Sequence, residues 1–576
     1  MRLAILVLAA IPLVAQALVA QDTRTVTEPV FPPVCTQVPA LSTADDSSLD
    51  TSRIQAALNS CPAGQAVELR ADGPADAFFI GPIQFPPGVT LLLDAGVTVF
   101  GSRNPRDYDS SSARTCGTIT NANTGCFPLI TANRADGAGI MGYGTIDGRG
   151  HLPMLINGAP ASQSWWDLAN AANTGSLSQN CPRMIQVSNT NGFSLYKITL
   201  KNSPNFHVAL GTDTNFTAWG VKIVTPYDAR NTDGIDPGYS NNVTITQCHI
   251  SDGDDNVAVG GSNSPGASNI SVVNNFFGDG HGASIGSYTQ AGVSNVLFDH
   301  ITFAFNKANG SATGIRIKSD VSRGGLVQNI TYSNMCLQNV RAAIVLDPFY
   351  TSGATGSLVP QYKNITIQNV HSTTESTVKI QGHDAANNTT VTLNNVQIDG
   401  IKSTDITEQY VDYALGPDPV NFAAFLKGTG VTVANSISTS NAAYACPDAV
   451  FAPIAGELLP GPPVVIAGLP LILTAQVFTT KAVPYQTYLA NLKTDPNATL
   501  ALPAPTGALI VNDGNNTVGS ASLGVGQFVA IFVPWLSPGL HTLTASYTGD
   551  ANYPPFTFGS YPVFVFPLWW FPALAE

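Results

Sequence analysis

Four short runs hold the side chains best suited to acid–base chemistry: Asn231-Thr232-Asp233-Gly234-Ile235-Asp236, Gly253-Asp254-Asp255-Asn256, Gly280-His281-Gly282 and Arg316-Ile317-Lys318. Singly, each has an ordinary explanation, because Asp beside Gly forms turns and a lone His or Arg sits solvated on a surface. The spacing argues otherwise. Asp254 follows Asp233 by 21 residues, His281 follows Asp254 by 27 and Arg316 follows His281 by 35. Steps of that size match single coils of a strand solenoid, so the runs would stack at about 4.8 Å per coil and meet in one patch. Neighbouring carboxylates raise one another's proton affinity, which lets one stay protonated as a general acid while the others activate water. With a period of two along a strand, Arg316 and Lys318 share one face and Ile315 and Ile317 the other, which aims both cations into a cleft. A guanidinium fork beside an ammonium suits a carboxylate on a ligand. Asp254 and Asp255 cannot both face outward from a regular strand, so a bend or bulge is expected there. Asp236 is expected to hydrogen-bond the turn at Gly234 rather than to move protons.

The elements that must position these residues are short, alternating, β-branched strands broken by Gly, Asn, Asp and Pro, without long amphipathic helices. An asparagine enters an alternating strand at Asn191, Asn215, Asn242, Asn269, Asn295, Asn329 and Asn364, in steps of 24, 27, 27, 26, 34 and 35 residues. This period, built from strands alone, predicts a right-handed parallel β-helix, the longer steps being loop insertions. Asn215-Phe-Thr217 and Asn242-Val-Thr244 also fit the glycosylation sequon. The repeat explains them better, since each coil needs a turn residue at its corner and stacked polar turns satisfy one another.

At 576 residues the chain exceeds what one core usually supports. Residues 1–20 start with Arg2, run through apolar residues 3–14 and end on small residues, the grammar of a cleaved secretory signal; the apolar run is short for a membrane span. Eight cysteines, an even number in an exported chain, permit disulfides. Cys116 with Cys126 is the first expectation, its short loop worth about 3 kcal/mol by the chain-entropy argument, and Cys35 with Cys61 the second. No CxxC or paired-His spacing suggests zinc, and no cofactor or metal is expected. With 25 basic and 38 acidic side chains and a net charge of −13, the chain makes a poor partner for nucleic acid.

Beyond about residue 445 the texture changes. Residues 446–465 are rich in Pro and Gly, as in a linker, and residues 466–576 make a second unit of about 110 residues. Its runs "PTGALIVNDG" (505–514) and "LSPGLHTLTASYTGDANY" (536–553) resemble bacterial immunoglobulin-like repeats, which implies a small β-sandwich. The aromatics of "FPLWWFPALAE" (566–576) are expected in its core or final strand. The expected architecture is thus all-β: signal 1–20, parallel β-helix 21–445, linker 446–465, immunoglobulin-like sandwich 466–576.

The runs "NTDGIDP" (231–237), "GDDNVAV" (253–259), "GHGASIGS" (280–287) and "GIRIKSD" (314–320), with "NSPNFHV" (202–208) and "GYGTIDGRG" (142–150) before them, resemble glycoside hydrolase family 28, in particular its bacterial endo-polygalacturonases. The resemblance covers residues from about 30 to 440. It implies Asp254 as general acid, Asp233 and Asp255 as the pair that activates water, His281 as a supporting hydrogen-bond and charge partner, and Arg316 and Lys318 as the binders of a galacturonate carboxylate. Tyr350, in "LDPFY", takes the place of a substrate-contacting tyrosine, with Asn205 and His207 as further substrate contacts. Asn256 stands where fungal members carry Cys and bacterial members often Asn. The implied protein is a secreted, monomeric, inverting, endo-acting hydrolase of pectin and polygalacturonate, with no membrane association once the signal is removed. Local cations are what an acidic chain would need to hold such a polyanion. Exo action or a rhamnogalacturonan substrate remain the enzymatic alternatives, although the latter should lack the full Arg-x-Lys pair. A pectate lyase would ask for calcium and an Arg base. A structural adhesin would have no use for three acids, a His and two cations on successive coils.

Overall fold

The structure, a computed structural model, describes residues 21–434 except 74, 95, 122–123 and 306–311; beyond these it describes 444, 446, 454–459, 464–466, 471–479, 508–514, 516–523, 528–533, 536–548 and 556–566. The segment expected to be a signal and most of the aromatic C-terminal run lie outside the described residues.

Residues 34–434 form a parallel β-helix. One side is a sheet of eleven parallel strands, β1 (Ile83–Gln84), β2 (Ile130–Asn133), β3 (Ile185–Ser188), β4 (Val208–Gly211), β5 (Ile235–Gly238), β6 (Val257–Val259), β7 (Ala283–Ile285), β8 (Thr313–Lys318), β9 (Ala342–Asp347), β10 (Thr377–Gln381) and β11 (Ile406–Gln409). A twenty-stranded sheet covers the remaining sides. Register explains the core: Ile185, Val208, Ile235, Val257, Ala283, Ile315 and Ile344 are successive partners and are all fully buried. Two residues further on, Val187, Leu210, Val259, Ile285, Ile317 and Leu346 repeat the pattern. Residues between these columns, Asp236, Ser284 and Arg316 among them, face outward. Helix α1 (Thr51–Ser60) adds Ile54 and Leu58 to the same core. Helix α2 (Trp165–Thr174) is an insertion ahead of β3, capped by Ser164 and Asp167.

The asparagine column is a structural device. Asn215, Asn242, Asn269, Asn295, Asn329 and Asn364 all have φ between 53° and 60°, a left-handed corner that asparagine tolerates. Their amides stack from coil to coil, as in Asn295 to Asn269 at 3.1 Å, Asn329 to Asn295 at 3.2 Å and Asn364 to Asn329 at 2.8 Å. A second corner repeats the arrangement, Asn369 donating to Asn334 and Asn395 to Asn369.

Three disulfides are present: the two expected pairs, Cys35–Cys61 and Cys116–Cys126, and Cys336–Cys446, which closes 110 residues. Cys181 and Cys248 are buried thiols. After the solenoid come a three-stranded antiparallel sheet and a five-stranded sheet with a hydrophobic cluster of their own, including Leu473, Leu509, Ile531 and Val563. The first strand of this unit is Ile454–Leu459, paired with Leu471–Thr479, so ordered strand begins inside the stretch expected to be a linker. Among the described residues no helix is long and apolar enough to cross a membrane.

Candidate active site

Asp233, Asp255 and His281 each stand two residues ahead of a buried strand-opening residue, Ile235, Val257 and Ala283, and those three are register partners on consecutive coils. Arg316, one residue after Ile315, is the register partner of Ser284 on the next coil. Stacking therefore converts sequence distances of more than twenty residues into contacts. Asp254 and Asp255 lie in the turn that leads into β6, not in a strand, which resolves the difficulty of pointing both into the cleft. Glycine makes that turn possible: a Cβ on Gly253 would stand 2.1 Å from the Ala229 carbonyl, and one on Gly282, at φ 87°, 2.1 Å from that of Thr313.

Asp255 is the hub. Lys318 Nζ donates to its Oδ2 at 2.6 Å, Arg316 Nη1 to its Oδ1 at 3.1 Å and Ser284 Oγ to its Oδ1 at 2.7 Å. Asp254 Oδ1 meets His281 Nδ1 at 3.0 Å and accepts from the Asp255 backbone N–H at 3.0 Å, while its Oδ2 accepts from Asn231 Nδ2 at 3.1 Å. Asp233 is buried, and its Oδ1 has no hydrogen-bond partner among the described residues. Tyr350, 41% exposed, presents its ring to both cations, 5.5 Å from the Arg316 guanidinium carbon and 5.2 Å from Lys318 Nζ.

These environments pull the carboxyls apart. Burial, reinforced by Asp254, Asp236 and Asp255, pushes Asp233 well above the ordinary carboxylate range. Burial and the charge of Asp255 do the same to Asp236, whose Oδ1 is also without a partner among the described residues. Burial would raise Asp254 too, but the His281 hydrogen bond and the charges of His281, Lys318 and Arg316 overcome it and hold Asp254 well below the usual range. These environments favour protonation on the Asp233 side and ionisation at Asp254. Asp254, Asp255 and His281 offer ligand atoms within 4.8 Å of one another, the spacing of a cation site. Asp255 already neutralises two cationic side chains, so its oxygens are poor candidates for a metal.

Asn205 and His207 are placed differently from the contacts expected of them. Both are buried, at 1% and 0% exposure. His207 Nδ1 lies 3.1 Å from the carbonyls of both Thr232 and Asp233, which can only accept, so this nitrogen carries the proton; Nε2 faces Thr225 Oγ1 at 2.9 Å. Burial lowers the His207 pKa to about 4, against the pull of those carbonyls. The ring is a neutral strut behind Asp233, with no surface left for a ligand.

Several participants had no separate sequence expectation. Asp252, fully buried, accepts from the Asp254 backbone N–H at 3.0 Å and braces the turn. Asn256 donates to the Asp279 carbonyl at 2.9 Å and accepts from Gly282 N–H at 3.0 Å, which fixes the loop bearing His281. Ser284 was legible only as the outward residue between Ala283 and Ile285.

Residues 63–414 match the family described as glycosyl hydrolases family 28. The chain is 41% identical over 436 residues to a polygalacturonase of Ralstonia solanacearum, spanning 69% of this chain and 81% of the relative. It is 43% identical over 380 residues to an endo-polygalacturonase of Pectobacterium parmentieri, spanning 66% and 90%. Among solved structures, the polygalacturonase from Erwinia carotovora ssp. carotovora superposes with a TM-score of 0.62 at 41% identity, covering 68% of this chain and 99% of that one. The matched region contains the whole acid–base cluster and the coils that present it, and the chain belongs to glycosyl hydrolases family 28.

Proposed function

We propose that the protein is a secreted endo-polygalacturonase that hydrolyses α-1,4-galacturonosyl linkages of pectin and polygalacturonate with inversion. The observation that carries this reading is the meeting of Asp233, Asp254, Asp255 and His281 with two cations, Arg316 and Lys318, that both rest on Asp255. A galacturonate carboxylate offers those cations a second anion, and Tyr350 gives the sugar ring a flat surface beside them. As the substrate carboxylate engages Arg316 and Lys318, their share of the positive charge that, after the His281 hydrogen bond, holds Asp254 ionised is offset. The proton of the cluster then passes from Asp233 to Asp254. Asp254 gives it to the glycosidic oxygen as the bond to the anomeric carbon breaks, and Asp233 with Asp255 takes a proton from the water that attacks that carbon from the opposite face. His281 holds Asp254 in place, and His207 and Asp252 hold the backbone beneath.

Secretion agrees with the apolar N-terminal run and with three disulfides, which persist in oxidising compartments. The strands from Ile454 onward, with their own core, suit an immunoglobulin-like module that acts as spacer or attachment to the cell wall. The test is size analysis of early products from de-esterified polygalacturonate, with absorbance of unsaturated uronates recorded in parallel. Saturated oligomers of mixed length support the reading. Unsaturated products would make the protein a lyase, and release of chain-end units alone would make it exo-acting.

A further inference from the structure

A chain of three side chains given no role so far leads to Asp254. Arg230 Nη1 donates to Gln179 Oε1 at 2.9 Å and to the Ala169 carbonyl of α2 at 3.2 Å. Gln179 Nε2 donates to Asn231 Oδ1 at 2.9 Å, and Asn231 Nδ2 donates to Asp254 Oδ2 at 3.1 Å. Its direction is fixed by chemistry. A guanidinium has donors only, so Gln179 must turn its oxygen to Arg230 and its NH₂ to Asn231; Asn231 must then offer its NH₂ to Asp254. Neither amide can be reversed without facing donor to donor or leaving a buried group unpaired. Gln179 is only 5% exposed and sits in a two-strand pairing of Ser178–Gln179 with Ile119–Thr120. Its neighbour Asn180 accepts from the N–H groups of Thr124 and Gly125, beside the Cys116–Cys126 bond. The insertion that carries α2 and Gln179, anchored on the segment Ile119–Thr120, is therefore tied to Asp254.

We propose that Arg230, Gln179 and Asn231 form a one-way hydrogen-bond relay that positions the Asp254 carboxylate and keeps a donor facing its Oδ2. They are positioning residues, and the proposal rests on Asp254 being the general acid. The relay opposes protonation of Asp254, because the Asn231 N–H is accepted more strongly by a carboxylate Oδ2 than by the same oxygen once protonated. Asp254 also faces His281, the cations Arg316 and Lys318, and the carboxyls Asp233, Asp236, Asp252 and Asp255. Substitution at Gln179 leaves all of these in place, which isolates the relay.

The experiment measures kcat against pH on polygalacturonate for the full chain and its variants. In Gln179→Glu the new carboxylate accepts from Arg230 but has no NH₂ for Asn231, which is free to turn its oxygen to Asp254, an arrangement only protonated Asp254 satisfies. The basic limb of the profile should move up by about one unit. Gln179→Leu, which adds no charge, should move it the same way by less, and Arg230→Met should follow Gln179→Leu. Arg230→Lys, still a pure donor, should keep the parental profile. The relay is overturned if the Gln179→Leu and Gln179→Glu profiles superpose on the parent, or if only Gln179→Glu moves, which would be a plain charge effect. Failure of the underlying reading is distinguishable, since Asp254→Asn would then retain activity.

Discussion

Lys318 Nζ lies 2.6 Å from Asp255 Oδ2, with the two side chains 7% and 2% exposed. A buried cation and carboxylate this close form a structural pair as well as a binding element, and the two uses can be separated. In Lys318→Ala, Asp255 keeps Arg316 but loses its shorter partner. The thermal midpoint should fall, by less than the about 3–5 kcal/mol of a fully broken buried pair, and affinity for galacturonate oligomers should fall as well. The double variant Lys318→Ala with Asp255→Asn should recover much of the midpoint but none of the affinity. Calorimetry and equilibrium binding on the same samples decide it, and recovery of affinity in the double variant would remove Lys318 from substrate binding.

Asp254→Asn should lower kcat by at least ~10² to 10⁴, the range that general-acid assistance supplies. Binding of oligomers should stay within a few-fold, because the amide is nearly isosteric and its Oδ1 can still accept from the Asp255 N–H. More than about a tenth of parental kcat would exclude the assignment.

The patch was legible because a solenoid turns sequence period into spatial stacking. Arg316 and Lys318 sit in a true strand, where alternation applies, and both lie opposite the buried Ile315 and Ile317 and meet Asp255. His207 stands just before β4, where a period of two says nothing about direction, and it turned inward. Gln179 lies in an insertion with no period, so its link to Asp254 could not be read. Cys336 and Cys446 are 110 residues apart, on a long back strand and past the last coil, so nothing local pairs them. Conversely, the asparagine column was readable as a ladder because each corner needs the same left-handed residue.

Asp252 is buried with one oxygen unpartnered among the described residues, and burial raises its pKa well above the usual value. A carboxyl raised in the folded state favours folding below its unfolded pKa of about 3.9, and that stability is lost as pH climbs from there toward the folded value. Asp252→Asn keeps the oxygen that accepts from Asp254 N–H and abolishes the ionisation. Its midpoint should match the parent near pH 4 and exceed it at pH 7, on the order of 2 °C. A variant less stable at pH 7 would show that the carboxylate, not its neutral form, is the favoured state.

A chain ending after residue 448 keeps Cys446 and omits every strand from Ile454 onward. It should fold and hydrolyse soluble polygalacturonate at close to the full-length rate, losing activity only on insoluble wall material. Cys446→Ser in the full chain should cost about 2–5 kcal/mol of stability, since the lost bond closes a long loop. A folded but inactive shortened chain would mean that the C-terminal strands contribute to the cleft.

The most direct test of the account is the anomeric configuration of the first product, followed by proton NMR during the opening minutes of hydrolysis, before mutarotation. Attack by water opposite a protonated Asp254 must deliver the new reducing end of the α-linked polymer as the β anomer, with the α form growing in afterwards. Initial appearance of the α anomer would require a covalent enzyme intermediate and would contradict the roles assigned to Asp233, Asp254 and Asp255.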